Sequence, residues 1–418
     1  MVQFRAAWLL PIAGRPLRDA WVRVDRGRIV ALGSHRQAGG DGTGPERGSR
    51  ETDLGSVAVL PGLVNAHTHL ELSWMRGRIA GTRSFADWIR ALVELRRERA
   101  EAEDPAVIQA VVDAIGESRR CGTAVLGDIS NSPVSHGPLA ASRLAAVVFG
   151  ELIGLSDERA AALVNQARRD LEARRTTGSL RCSLAAHAPY SVAPLLFRAI
   201  RAALDGDPFA PCSVHLGESA DEVEFLKTGG GSWRELLEEV RTGKASWVAP
   251  ACDPVEYLER IGFLDDRVLA VHGVHLSSHA LERLAELGAT LVACPRSNMN
   301  TGAGTPPVSR FYASGVRVAI GTDSLASVPD LNLFSELAQL RRLAPAVPAS
   351  ALLESATCHG ARALGFQADF GSIEPGKRAE LIAVDVPPGT KDVEERLVSG
   401  VKPEQIRWLD AGSSVGLA

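Results

Sequence analysis

From residue 57 to 364 the chain alternates short apolar runs with stretches of helical periodicity, and this narrows the fold more than any other feature. The apolar runs are Val57–Leu60, Thr123–Leu126, Ala145–Phe149, Leu180–Ala186, Cys212–Val214, Val268–Val271, Ala289–Ala293 and Val316–Ile320. Helical patterns separate them, among them Phe85–Arg99, Pro105–Arg120, Asp157–Arg174, Ser278–Leu287 and Leu333–Leu343. Runs this short read as strands. Eight such strands alternating with helices predict an α/β fold, a (β/α)8 TIM-like barrel. A doubly wound sheet shares the alternation, but no glycine-rich dinucleotide fingerprint follows the first run.

The flanks read differently. Trp21-Val22-Arg23-Val24 alternates, Asp25–Arg28 is a hairpin turn, and Ile29–Leu32 returns. Residues 36–50 are rich in glycine and charge and read as a mobile loop. After 364, Gly371–Gly376 is a turn and Ala379–Val384 a strand, so β character returns and completes the small N-terminal piece. The segment 219–261 is long for a strand-to-helix connection and reads as an insertion over the barrel mouth.

Composition excludes several classes. A net charge of −4 offers no surface for nucleic acid or an anionic membrane. The six cysteines are scattered with no C-x-x-C, which argues against a disulfide framework or a cysteine zinc site and fits a reducing cytoplasm. No run approaches the roughly 20 apolar residues of a membrane span. Ala6–Leu10, beside Pro11, reads as a first strand and not as a signal sequence. A homodimer is the commonest state for a soluble enzyme of this kind, with a small molecule as its partner.

In a barrel the strand ends share one mouth, so the residues standing there matter most. His67 and His69 lie two apart, and a strand's period of two turns both rings to one face. Asp128 and Glu151 end the next two runs, and His187-Ala188-Pro189-Tyr190 the fourth. His215 follows the fifth run with Glu218 three residues on, His272 the sixth and Asp323 the last. Five of the ten histidines stand at these ends. Three imidazoles and a carboxylate suit one divalent ion, Zn2+ first and Fe2+ also, with His67, His69, His215 and Asp323 as ligands. Such an ion lowers the pKa of a water towards about 7. Glu218 and His272 are then placed for the two proton movements of a hydrolytic deamination.

Pro61-Gly62-Leu63-Val64-Asn65-Ala66-His67-Thr68-His69 resembles the opening motif of the amidohydrolase superfamily. His187–Ser191, Val214–Ser219, Cys294-Pro295-Arg296-Ser297-Asn298 and Gly321-Thr322-Asp323-Ser324 resemble the motifs of its chlorohydrolase and aminohydrolase branch, in family order. The resemblance implies a barrel at 57–364 and a composite β-sandwich domain formed by 1–56 and 365–418. It implies that His67, His69, His215 and Asp323 hold the metal, and that Glu218 shuttles a proton to the substrate ring. His272 and Asp323 would partner the attacking water, and His187 would touch substrate. Binuclear members carry a lysine on the fourth strand; Leu180–His187 has none, which favours a single metal. Gly273 departs from the cysteine that the branch often carries after the sixth-strand histidine.

The substrate follows as an adenine-type nucleoside or related N-heterocycle. His67–Ser73, Phe85–Ile89 and Trp247–Pro250 resemble aminodeoxyfutalosine deaminases of menaquinone biosynthesis. Candidate substrate contacts are His187, Glu71, Trp88, Glu151, Arg296 and Asn298, with Trp74, Trp88, Trp233 and Trp247 as candidate walls for the base. Two rival readings keep the same site: removal of chloride or opening of a cyclic amide or triazine, and deamination of guanine or S-adenosylhomocysteine. A third is a non-catalytic barrel, which four retained ligands argue against. His275 and His279 read as helix-start residues, His136 and His359 as structural, and Glu94–Arg99 as a solvated helix face.

Overall fold

The computed structural model describes residues 1–34, 50–99, 104–174, 178–207, 210–240 and 248–409. The loop expected at 36–50 lies, apart from residue 50, outside the described residues, and so does Trp247. The first strands are β1 (Val2–Leu9), β2 (Leu17–Asp25), β3 (Arg28–Ser34), β4 (Arg50–Asp53) and β5 (Val57–Pro61). Next come β6 (Leu63–Thr68), β7 (Thr123–Ser130), β8 (Ala145–Leu152), β9 (Leu180–Ala186), β10 (Cys212–Leu216), β11 (Val268–His272), β12 (Thr290–Ala293) and β13 (Arg317–Ile320). The last two are β14 (Leu381–Asp385) and β15 (Ile406–Trp408).

Strands β6 to β13 form one parallel sheet in chain order, and a bridge from Thr68 to Asp323 closes it. This is the expected barrel. Strands β1 to β5, β14 and β15 form a separate, mostly antiparallel sheet built from both ends of the chain.

One expected strand sits elsewhere. Val57–Leu60, read as the first barrel strand, is β5 of the terminal sheet, where Ile382 pairs with Leu60. The first barrel strand is Leu63–Thr68. The chain changes sheets between two successive residues. Gly62 donates its amide to Glu380 O at 2.8 Å, and Leu63 donates to Gly122 O on the barrel side, also at 2.8 Å. Continuous apolar character marks burial on both faces but not which sheet a run joins, so two strands read as one.

The helices follow their sequence signals. In Pro105–Arg120, Asp104 caps the start by accepting from Ala106 N, and proline occupies the first turn. Val107, Val111, Ala114, Ile115 and Ser118 are its buried face, at the spacing that turns one stripe inward. The barrel interior is filled by Val64, Ala66, Val125, Phe149, Ala185, Val271 and Val292, a packed core and not a pore. Trp408 ties the terminal sheet to this body: its Nε1 donates to Arg119 O at 2.7 Å, under the Arg119 guanidinium.

The segment after β10 contains the helices Ala220–Thr228, Ser232–Val240 and Pro254–Ile261. Its Trp233 stacks on Tyr190 at 4.4 Å and meets Phe85 edge-on at 5.8 Å. Tyr190 and Phe85 both line the cavity at the barrel mouth, so this segment backs the cavity wall. Among the described residues no helix is long and apolar enough to cross a membrane.

Candidate active site

The ends of β6, β10, β11 and the segment after β13 bring a polar cluster together. His67 and His69 leave β6 on one face, as the period of two requires. Nε2 of His69 lies 3.3 Å from Nε2 of His215. Oδ1 of Asp323 lies 3.9 Å from His67 Nε2 and 3.8 Å from His69 Nε2. Donor atoms of His67, His69 and Asp323 fall within 4.8 Å of one another, as do those of His67, His215 and His272.

This donor set fits a divalent metal. His67 is fully buried, and neither of its ring nitrogens has a hydrogen-bond partner. A buried imidazole without partners is costly unless something absent from the polypeptide satisfies it. Burial, then the charges of His69, His215 and His272, push the His67 pKa well below its ordinary value, so the ring is neutral. Nδ1 of His215 donates to His187 O at 2.8 Å, which fixes the tautomer and leaves Nε2 as a lone-pair donor facing the cluster. Neutral imidazoles and one carboxylate are the ligand chemistry of Zn2+ or Fe2+.

The cluster is rigidly framed. His272 and Asp323 both adopt positive φ, +79° and +62°. Such backbone costs on the order of 1–3 kcal/mol per residue and persists where the surroundings enforce it. Ser297 Oγ donates to Asp323 Oδ2 at 2.5 Å. Asn65 and Thr322 exchange two hydrogen bonds, Nδ2 to Oγ1 at 2.8 Å and Thr322 N to Oδ1 at 3.1 Å. Asp128 accepts from Leu70 N at 2.8 Å and so holds the turn after His69.

Glu218 and His272 face each other beside the cluster, Oε1 3.5 Å from Nε2. Burial, then the Asp323 and Glu222 carboxylates, hold the Glu218 carboxyl well above the usual range. Burial, then His215 and His69, push His272 well down. Both shifts favour the uncharged form, the carboxylic acid at Glu218 and the neutral imidazole at His272. His187, held by Ser191 Oγ at 2.6 Å, is lowered to about 4, mainly by burial. Burial alone would raise Glu151, but His187, His215 and His69 outweigh it and hold the carboxylate low.

The cavity is lined by the polar His69, His215, Glu218, His272 and Asp323 and by the apolar Phe85, Trp88, Ile89 and Leu92, the last four from one helix, Phe85–Arg96. Of the residues expected to touch substrate, His187, Glu151 and Trp88 line it. Arg296, Asn298 and Glu71 are not among its lining residues. The Arg296 guanidinium is spent on Glu336 (Nε to Oε1, 2.6 Å) and Asp330 (Nη1 to Oδ1, 2.9 Å). The buried Asn298 amide lies 3.0 Å from His272 Nδ1 and orients that ring. Glu71 is buried and accepts from Ser130, Ser132 and Arg96. Of the candidate walls, Trp74 is half-buried under the Arg78 and Arg99 guanidinium groups. His275 gives Nε2 to Ala303 O at 2.6 Å and His359 gives Nδ1 to Val318 O at 2.9 Å, both structural uses.

Several residues of the site were not singled out by the sequence. Arg96, within the stretch read as a solvated face, lines the cavity, as do Asn131 and Ser324. Buried Glu222 accepts from Gly217 N and Glu218 N, each at 2.9 Å, and so holds the turn that presents Glu218. The position of Gly273, the departure from the branch pattern, has φ +64°, and a Cβ there would stand 2.6 Å from Leu291 Cδ1. Packing of Leu291 thus explains the glycine.

Comparison with known proteins places these features in context. The profile of the amidohydrolase family matches residues 58–406. A 5-methylthioadenosine/S-adenosylhomocysteine deaminase of Moorella thermoacetica is 30% identical over 98% of this chain and 92% of its own. The aminodeoxyfutalosine deaminase of Deinococcus radiodurans is 31% identical over 77% of this chain and 76% of its own. A Xanthomonas campestris adenosine deaminase, solved with bound zinc, superposes with a TM-score of 0.79 at 28% identity, covering 97% of this chain and 90% of that one.

Proposed function

This chain belongs to the amidohydrolase family, and on that premise we propose that it deaminates an adenine-type nucleoside by hydrolysis. The exocyclic amine at C6 is replaced by oxygen and leaves as ammonia. The observation that carries the reading is the Glu218 carboxyl, Oε1 3.5 Å from His272 Nε2, beside a buried His67 whose ring nitrogens have no hydrogen-bond partner. The three deaminases named above, which between them act on 5-methylthioadenosine, S-adenosylhomocysteine, aminodeoxyfutalosine and adenosine, support the purine nucleoside class.

His67, His69, His215 and Asp323 would hold one divalent metal, Zn2+ by the chemistry of the donors and by the zinc in the adenosine deaminase relative. Bound there, it would supply Lewis acidity that makes water a nucleophile near neutral pH. The remaining work falls to the chain. Glu218, kept protonated, donates to the ring nitrogen next to C6, which makes C6 electrophilic. His272 and Asp323 take the proton released as the water oxygen bonds to C6. That proton passes to the amine, the C6–N bond breaks, and ammonia leaves. The ring proton stays on the product, and as the C6 hydroxyl becomes the 6-oxo group it returns the water's second proton to the Glu218 carboxylate, which restores the acid. Phe85, Trp88, Ile89 and Leu92 cover the base and exclude water, while His187 and Glu151 contact the substrate's polar edges. Among such nucleosides, 6-amino-6-deoxyfutalosine deserves the first trial, on the resemblance of His67–Ser73 and Phe85–Ile89.

The test is ammonia release by zinc-loaded protein from adenosine, 5′-methylthioadenosine, S-adenosylhomocysteine and 6-amino-6-deoxyfutalosine. Turnover of at least one, lost in Glu218→Gln, is expected. No turnover of any of them by a protein holding one metal per chain would refute the reading.

A further inference from the structure

Glu71 is not among the lining residues of the mouth cavity, and both of its carboxylate oxygens are engaged within the chain. Oε2 accepts from Ser132 N at 3.0 Å and from Ser132 Oγ at 2.8 Å. Oε1 accepts from Arg96 Nη2 at 2.8 Å. The side chain is 5% exposed. A carboxylate buried this far persists where charged or hydrogen-bonding partners offset its lost hydration. Its contacts therefore serve to join parts of the chain.

Three elements meet at this side chain. One is its own turn, Leu70–Met75, which starts directly after His69. Another is the segment after β7, through Ser132. The third is the helix Phe85–Arg96, through its last residue. Phe85, Trp88, Ile89, Leu92 and Arg96 recur at helical spacing and all line the mouth cavity, so one face of this helix is the wall offered to the base. Polar contacts attach the helix along its length. Before its start, Thr82 N donates to Asn300 O at 3.1 Å. In its middle, Arg90 pairs with Glu239 at 2.8 Å, but both side chains are open to water, where an ion pair holds little. At its end, Arg96 pairs with buried Glu71 and gives Nη1 to Asn131 Oδ1 at 3.1 Å. The pair with one buried partner is the less screened of the two.

We propose that Glu71 is a positioning residue: through Arg96 it docks the helix Phe85–Arg96 onto the turn after His69, and so fixes the apolar wall relative to the metal-type cluster. The kinetic consequence rests on the deaminase reading. A base against a displaced wall binds less tightly, while Glu218 and His272, which stand on other strands, keep their geometry.

The experiment uses Glu71→Gln, Arg96→Met, the double variant and Arg96→Lys, each zinc-loaded. A glutamine oxygen can serve Ser132 or Arg96 but not both, and its amide meets the guanidinium donor to donor. Arg96→Met removes the same contact at a partly exposed side chain, so the test survives a Glu71→Gln that does not fold. KM and kcat are measured with adenosine and 5′-methylthioadenosine, which carry no anionic group. Zinc content and hydrogen exchange of residues 63–68 and 85–96 are measured on the same samples.

Expected is a KM about tenfold higher in each of Glu71→Gln and Arg96→Met and no higher in the double variant, because all three lose one contact. Zinc content and kcat should stay at the wild-type values, and Arg96→Lys, which keeps one charged donor, should recover part of the KM. Amides of 85–96 should exchange at least about tenfold faster while those of 63–68 do not change. Losses that add in the double variant would overturn the proposal, because the two residues would then act separately. Zinc loss in Glu71→Gln with the helix amides unchanged would also overturn it, as would KM and exchange equal to wild type. If neither nucleoside is turned over, exchange alone decides on Glu71: faster exchange confined to 85–96 in both single variants supports the docking role, and unchanged exchange refutes it. Failure of the deaminase reading is read separately, from a wild type that turns over none of the four nucleosides tested above.

Discussion

The backbone amide of Asp323 donates to the carbonyl oxygen of His67 at 3.1 Å. The barrel sheet therefore closes at two residues whose side chains also meet in the metal-type cluster. Closure and ligand geometry are one constraint. Gly321 tests this, because a Cβ there would lie 2.7 Å from His67 Cβ and 2.8 Å from His67 O. Gly321→Ala is expected to destabilise the protein by about 1–3 kcal/mol, the usual cost of overpacking, and to weaken zinc binding. Thermal unfolding and zinc competition with a chelator measure both; unchanged zinc affinity would separate closure from the site.

Ser297 supports Asp323 from behind, and such contacts to a ligating carboxylate typically carry 10–100-fold in metal affinity. Ser297→Ala should therefore weaken zinc binding by about that factor while the fold remains intact by circular dichroism. Chelator competition reads the constant directly. An affinity equal to wild type would show that the 2.5 Å hydrogen bond does not position the ligand.

Glu222 acts on Glu218 through the backbone, with both carboxylate oxygens bonded to amides of the Gly217–Glu218 turn. Leaving those buried donors unpaired costs about 1–3 kcal/mol, and the turn is free to shift. Glu222→Ala should lower kcat by about tenfold or more with little change in KM, because the lost function is placement of the proton donor. A rise in KM with normal kcat would point to a role in substrate binding instead.

Buried Glu336 gives a pH signature away from the metal-type cluster. Burial, opposed in part by Arg296, raises its pKa from 4.5 to about 7. Between those values the folded state binds a proton that the unfolded state has released, so stability falls as pH rises through this window. Glu336→Gln cannot titrate. Between pH 5 and 8, wild type should therefore lose more stability than the variant, by an amount on the order of 3 kcal/mol. Urea unfolding at the two pH values checks the difference; parallel losses in both proteins would mean that Glu336 is ionised throughout.

The sequence was most informative where chemistry and period coincide. His67 and His69 were legible because two rings at a spacing of two must share a face, and His215, His272 and Asp323 because each stands where a strand ends. The barrel was legible from its alternation. The break at Gly62 was not, since Val57–Pro61 and Leu63–Thr68 are equally buried and run on without a turn signal other than Pro61-Gly62, while their hydrogen-bond partners differ. Arg96 was hidden among Glu94, Arg97 and Glu98, where a charge run resembles a solvated surface. What sets it apart is the tertiary position of Glu71 and Asn131. Arg296 and Asn298 stand in a telling motif, yet their side chains serve Glu336 and His272; a motif marks a neighbourhood, not the direction of each side chain.

The most direct measurement is deamination in water enriched in oxygen-18. Zinc-loaded protein is incubated with the adenine nucleoside it turns over best, and the product is analysed by mass spectrometry alongside an ammonia assay. Hydrolysis at C6 by the Glu218–His272 pair is expected to give a 6-oxo product with one oxygen-18 atom and one equivalent of ammonia, neither forming with Glu218→Gln. Product without the heavy oxygen, or full activity in the Glu218→Gln variant, would contradict it.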